Sequence, residues 1–223
     1  MYLPIMCNAL PDGLKNMKKK GIFFVIEGLD GSGKTTQANI LAEKLSENYK
    51  VFCTAEPSQG KIGSFIRNGC LYEEKRLPIE AEALLFAADR IEHMQNEIAP
   101  ALAEGKVVIC DRYIYSSLAY QGSTGLSLDW IKTINARSLQ PDFCVFIDVS
   151  PEHVLERLQR KKSVMEKLET QQKVREVYLK FVEKGELTMI DGDKPKDEVA
   201  EILYSKVLSL IKILISEERS GFV

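Results

Sequence analysis

The sequence predicts one α/β domain, a parallel β-sheet with helices on both faces. Three observations point there. Short apolar runs bounded by turn residues alternate with helical periodicity along the chain, the pattern of successive right-handed strand–helix–strand units. Several runs, Phe23-Phe24-Val25-Ile26 and Val107-Val108-Ile109 among them, are apolar on both faces, as strands covered from both sides must be. At 223 residues the chain suits one large domain or two small ones, and neither an internal repeat nor a Pro/Gly/Ser-rich linker divides it.

In chain order, strands are expected at 22–26, 51–54, 107–110, 144–149 and 188–190. Helical periodicity covers 35–48, 80–104, 128–139, 151–161, 170–184 and 197–216. The last of these carries the stripe Ile202, Val207, Leu210, Ile211 and Leu214, which reads as core packing, as does Trp130. His93 and His153 fall on charged helical stretches and read as surface residues. Residues 1–16 precede Met17 and the basic triplet Lys18-Lys19-Lys20. They read as an N-terminal extension outside the fold, with 17–223 as the domain.

Hydrophobic residues make up 45% and charged residues 28%, which excludes disorder or a fibre as the main state. Thirty basic against thirty-two acidic residues leave a net charge of −2, which argues against nucleic acid or a membrane surface as a general partner. Five cysteines stand at 7, 53, 70, 110 and 144 with no C-x-x-C pair. That arrangement supports neither a metal site nor a disulfide framework and points to a reduced, cytoplasmic setting. No apolar run approaches the roughly 20 residues that span a bilayer.

The chemistry concentrates first at Gly28-Leu29-Asp30-Gly31-Ser32-Gly33-Lys34-Thr35, which fits G-x-x-x-x-G-K-[ST] between a strand and a helix. Glycines let successive N–H groups turn inward as an anion nest, and the helix start adds partial positive charge. Lys34 supplies a point charge for the β- and γ-phosphates of a nucleoside triphosphate, and Thr35 an oxygen for Mg²⁺. Strand 107–110 runs into Asp111, in the position of a carboxylate that holds Mg²⁺. Arg112 follows at once. A switch protein would place D-x-x-G there, whereas a guanidinium fork suits the phosphate of a second substrate. Phe86 and Arg90 stand four apart on a helix, hence on one face; read by themselves they are a core Phe with a surface Arg, or a pair that sandwiches and hydrogen-bonds a base.

The segments Glu27 to Gln37, Ala55-Glu56-Pro57, Leu84-Leu85-Phe86-Ala87-Ala88-Asp89-Arg90 and Asp111-Arg112-Tyr113 together resemble the thymidylate kinase family, from about Lys20 through the last helix. The resemblance implies a three-layer P-loop kinase fold with a five-stranded parallel sheet and a small helical lid at about 157–169. It implies phosphoryl transfer from Mg·ATP to dTMP, with ATP held by 28–36, including Thr36. It further implies dTMP contacts at Asp30, Glu56, Arg67, Phe86, Arg90, Arg112, Ser117, Tyr120 and Gln121. A Tyr120 ring beneath the sugar would leave no room for a 2′-hydroxyl. Taken singly, Ser117, Tyr120 and Gln121 read as helix surface. The family also pairs as homodimers through a helix like 80–104.

Two departures stand out. Many relatives read T-R-E-P-G where this chain reads Thr54-Ala55-Glu56-Pro57-Ser58, so an arginine is missing, and either Arg67 and Lys61 suffice for the acceptor phosphate or substrate affinity differs. Gly31 stands where some members carry a catalytic arginine, so Arg157 or Arg160 of the lid is expected to supply that charge, with Lys34, Arg112 and Asp30 completing the catalytic set. The loop Asp191-Gly192-Asp193 resembles the one that cradles adenine. The rival readings are another pyrimidine deoxynucleotide kinase, a deoxynucleoside kinase with Glu56 as its base, and a nucleotide-dependent switch.

Overall fold

A computed structural model describes residues 21–69, 77–157 and 167–220. Five strands, β1 (Ile22–Gly28), β2 (Val51–Ala55), β3 (Val107–Asp111), β4 (Phe143–Asp148) and β5 (Thr188–Asp191), form one sheet in the order β2-β3-β1-β4-β5. All four pairings are parallel. The five expected strands are all present; four run one or two residues further than expected, and β4 begins and ends one residue earlier. β1 lies at the centre, and Phe23, Phe24, Val25 and Ile26 are buried on both of its faces. Phe23 packs edge-on against Tyr113 and Phe24 against Phe143, with centroids 5.1 and 6.1 Å apart.

The helices are α1 (Lys34–Ser46), α2 (Lys61–Gly69), α3 (Ile79–His93), α4 (Ala99–Ala103), α5 (Ile114–Ser123), α6 (Leu128–Ile134), α7 (Pro151–Arg157), α8 (Leu168–Glu183) and α9 (Lys196–Ser220). The helix expected over 80–104 is interrupted. A wide π-type turn over Met94–Ile98 separates α3 from α4, just before Pro100, which has no N–H to continue the ladder and whose ring crowds the preceding turn. The helix expected over 128–139 ends at Ile134, because the buried Asn135 turns its amide back onto the Ile131 carbonyl at 2.8 Å. In α9 Val207 and Ile211 are buried and Ile202 and Leu210 half-buried, as the stripe predicts. Trp130 packs on the core from α6, and His153 is exposed. No described helix is long and apolar enough to cross a membrane.

Candidate active site

Parallel strands all deliver their C-terminal ends to one edge, where β1 turns into the glycine loop. Gly33 caps α1 with φ 90, a left-handed conformation that glycine adopts without strain. No side chain caps α1, and its first turn holds no acidic residue, so its N–H groups are left for an anion. Lys34 folds back across the loop and donates to the Leu29 carbonyl at 2.6 Å. Burial, and then the nearby Arg112 charge, pull the Lys34 ammonium down to about 8.

Thr35 Oγ1 donates to Asp111 Oδ2 at 2.5 Å, while Asp111 Oδ1 is buried with no partner. Two hard oxygen donors side by side, one with an unused lone pair, fit Mg²⁺. Among the described residues no cluster of three or more His, Cys, Asp or Glu could hold a metal, so such an ion would depend on these two oxygens together with phosphate and water.

Arg112 occupies the left-handed region at φ 71, costly for a residue with a Cβ. Its Nη1 donates to the Gly28 carbonyl at 3.2 Å and to Ser116 Oγ at 3.0 Å. Its Nη2 donates to Asp30 Oδ1 at 2.6 Å and to Tyr120 Oη at 3.3 Å. Tyr120 Oη in turn accepts from the Asp30 N–H at 3.1 Å. The expected residues Asp30, Arg112 and Tyr120 therefore form one cluster beside the phosphate loop.

A second cluster lies on the β2 and β3 side. Arg90, 1% exposed, donates from Nη2 to Glu56 Oε2 at 2.7 Å, to the Tyr113 carbonyl at 3.0 Å and to Ser117 Oγ at 3.2 Å. It also bonds Asn135 Oδ1, and its Nε has no partner. Phe86 is half-buried one turn earlier on α3. Ser117, Tyr120 and Gln121 are not helix surface: α5 turns all three inward, and Gln121 Oε1 is buried without a partner.

His93 corrects the surface reading. It is 1% exposed, its Nδ1 3.3 Å from Glu56 Oε1 and its Nε2 2.7 Å from Thr54 Oγ1. Charged neighbours in sequence do not fix which face of α3 meets the sheet, and His93 shares the face of Arg90.

Arg67 turns its guanidinium onto its own loop, donating to the Pro57 carbonyl at 2.5 Å, the Ser58 carbonyl and Gln59 Oε1. Ser58 is held by Asp89: its hydroxyl donates at 2.5 Å and its N–H at 2.9 Å to that carboxylate. Ala55 is exposed at the end of β2.

On the β4 and β5 side, a cleft of ≈ 180 Å³ is lined by Gly33, Thr36, Gln37, Arg157, Gly192 and Lys196, among others. Arg157 stands at the end of α7, 3.9 Å from Asp193, which also accepts from His153 Nδ1 at 2.8 Å. Arg160 and most of the expected lid, like residues 1–16, lie outside the described residues. Reading the sequence missed the supporting carboxylates Glu27 and Asp89, and Asn135. Glu27 carried a signal, an acidic residue inside an otherwise apolar strand.

A sequence model of the family described as Thymidylate kinase matches residues 26–202. A probable thymidylate kinase of Pyrococcus horikoshii is 42% identical over 202 residues, covering 86% of this chain and 97% of the relative. A probable thymidylate kinase of Pyrococcus abyssi is 44% identical over 197 residues, covering 84% and 96%. A protein of onion yellows phytoplasma named thymidylate kinase is 38% identical over 205 residues, covering 86% and 99%. With this geometry and these relatives, the chain belongs to the thymidylate kinase family.

Proposed function

We propose that the chain transfers the γ-phosphoryl group of ATP to dTMP, giving ADP and dTDP. The observation that carries this reading is Arg112. One guanidinium touches the phosphate-loop carbonyl of Gly28 and the Asp30–Tyr120 pair, so it ties the triphosphate cradle to the residues read as contacting the acceptor. A phosphate oxygen of dTMP, already anionic, attacks the γ-phosphorus while the bond to the β,γ-bridging oxygen breaks. No general base is needed. The loop N–H groups and Lys34 hold the β- and γ-phosphates, Arg112 neutralises charge spreading over the transferred group, and Arg90 with Phe86 holds the base. Arg157 reaches the triphosphate from the opposite side, with Arg160 as the second cationic candidate. Mg²⁺ at Thr35 and Asp111 would supply further charge neutralisation.

A nucleoside kinase would need Glu56 as a free base, yet both its oxygens are engaged by Arg90 and His93. Arg67 must leave its loop carbonyls to serve as a phosphate ligand. We also read the chain as a homodimer, since Phe65 and Leu84 on α2 and α3 are 55% and 50% exposed; sedimentation of the purified chain tests this. For the activity itself, ADP release from Mg·ATP is measured with dTMP, dUMP, dCMP, AMP, GMP, thymidine or no acceptor. Selective turnover of dTMP is expected. Preference for thymidine, or equal turnover without an acceptor, overturns the reading.

A further inference from the structure

Glu27 is a fully buried carboxylate beside the phosphate loop, and no step above uses it. It is 0% exposed, the residue before Gly28 at the end of β1. Oε1 accepts from the N–H groups of Tyr113 and Ser116 at 2.9 and 3.1 Å. Oε2 accepts from Ser116 Oγ at 2.6 Å and from Tyr178 Oη of α8 at 2.9 Å. Four donors converge on two oxygens, so the group acts purely as an acceptor, which is the ionised form. From the geometry we infer that Glu27 is a positioning residue for Arg112, acting through the Ser116 hydroxyl.

The chain of donors has one direction. A serine hydroxyl holds a single proton. Ser116 gives it to Glu27 and keeps a lone pair for Arg112 Nη1, 3.0 Å away. Two backbone donors fix the other oxygen to the first turn of α5, immediately after Arg112. Glu27 thus holds both the backbone that follows the strained φ of 71 and one arm of the guanidinium. It also sits one residue from Gly28, whose carbonyl takes that same arm. One carboxylate therefore registers Arg112 against the phosphate loop.

A packing role alone does not call for a charge here. Burial pushes the Glu27 carboxyl up from its ordinary range, against the pull of Ser116 and Arg112. A neutral amide would fill the same space at lower cost. What it cannot do is accept from all four donors, since one of its two ends is itself a donor.

The test uses the full chain with Glu27→Gln and Ser116→Ala, alone and combined with Arg112→Ala. The kinetic arm rests on the proposed function; the spectroscopic arm does not. In ¹⁵N-arginine spectra of the protein without nucleotide, the Arg112 guanidinium is expected to be ordered in the native chain and to gain mobility in both variants. With dTMP as acceptor, kcat is expected to fall about tenfold or more, with KM for ATP within about twofold and an undiminished Tm. In the Arg112→Ala background neither variant should reduce turnover further. An unchanged guanidinium spectrum overturns the inference even if the native chain does not turn over dTMP, and loss of mobility restraint supports it in that case. Losses that multiply with Arg112→Ala, or that track a falling Tm, also overturn it. If Glu27→Gln does not fold, Ser116→Ala, which leaves the carboxylate in place, decides.

Discussion

Lys34 and Arg112 are held in place at a cost to the fold, and the cost can be measured. For Lys34 the ammonium pKa drops from 10.5 in the unfolded chain to about 8 in the folded one. Between those values the unfolded chain binds a proton that the folded chain lacks, so stability rises with pH across pH 8 to 10.5. Below pH 8 the buried charge opposes folding by about 3 kcal/mol. Lys34→Met should therefore unfold at higher denaturant at pH 7, flatten that alkaline rise, and lose turnover; a lower midpoint would contradict the assignment. In the native enzyme KM for ATP should climb above pH 8, as free Lys34 loses its charge. For Arg112, replacement by alanine removes the charge that faces the transferred group, and kcat/KM for dTMP should fall about 10²-fold or more. A near-native value would remove Arg112 from that role.

Among the elements, the loop from β2 into α2 bears Glu56 and is held by α3. Asp89 takes the Ser58 hydroxyl and N–H, and Glu92 takes the Ile62 N–H at 2.9 Å. Gly63 closes the arrangement: a Cβ there would lie 2.1 Å from the Ser58 carbonyl oxygen and 2.6 Å from Asp89 Oδ1. Gly63→Ala must move the loop that bears Glu56, so KM for dTMP should rise several-fold while KM for ATP stays put, read from initial rates with each substrate varied. Strands and the phosphate loop were legible in the sequence because β1 is apolar on both faces and the glycine spacing is stringent. The break in the long helix was less legible, although Pro100 marks it, because a proline can also be met by a kink. His93 and Asn135 were hidden for another reason. Which helix face meets the sheet depends on partners remote in sequence: Glu56 lies 37 residues from His93, and Arg90 lies 45 from Asn135.

For the molecule as a whole, ligand linkage gives a direct check on how the phosphate site and its metal work together. ATP at 100 times its Kd, binding only the folded chain, stabilises it by about 2.7 kcal/mol, which for a chain of this size is roughly 5–10 °C in Tm. That shift should appear with Mg·ATP and shrink when the metal is chelated, if Thr35 and Asp111 supply its protein oxygens. An equal shift in EDTA would speak against the pair. The strand order itself has a further consequence. With β1 central, the Arg90 cluster and its loop stand on β2 and β3, while the cleft beside Thr36, Arg157 and Lys196 stands on β4 and β5. The two halves are joined along β1, by α1, which packs on β2, β3 and α9, and by α5, which packs on α3 and α8. Because that cleft takes none of its lining from α2 or α3, heritable change in those two helices can accumulate without touching it, so such a scaffold can acquire a new acceptor while its use of ATP is inherited.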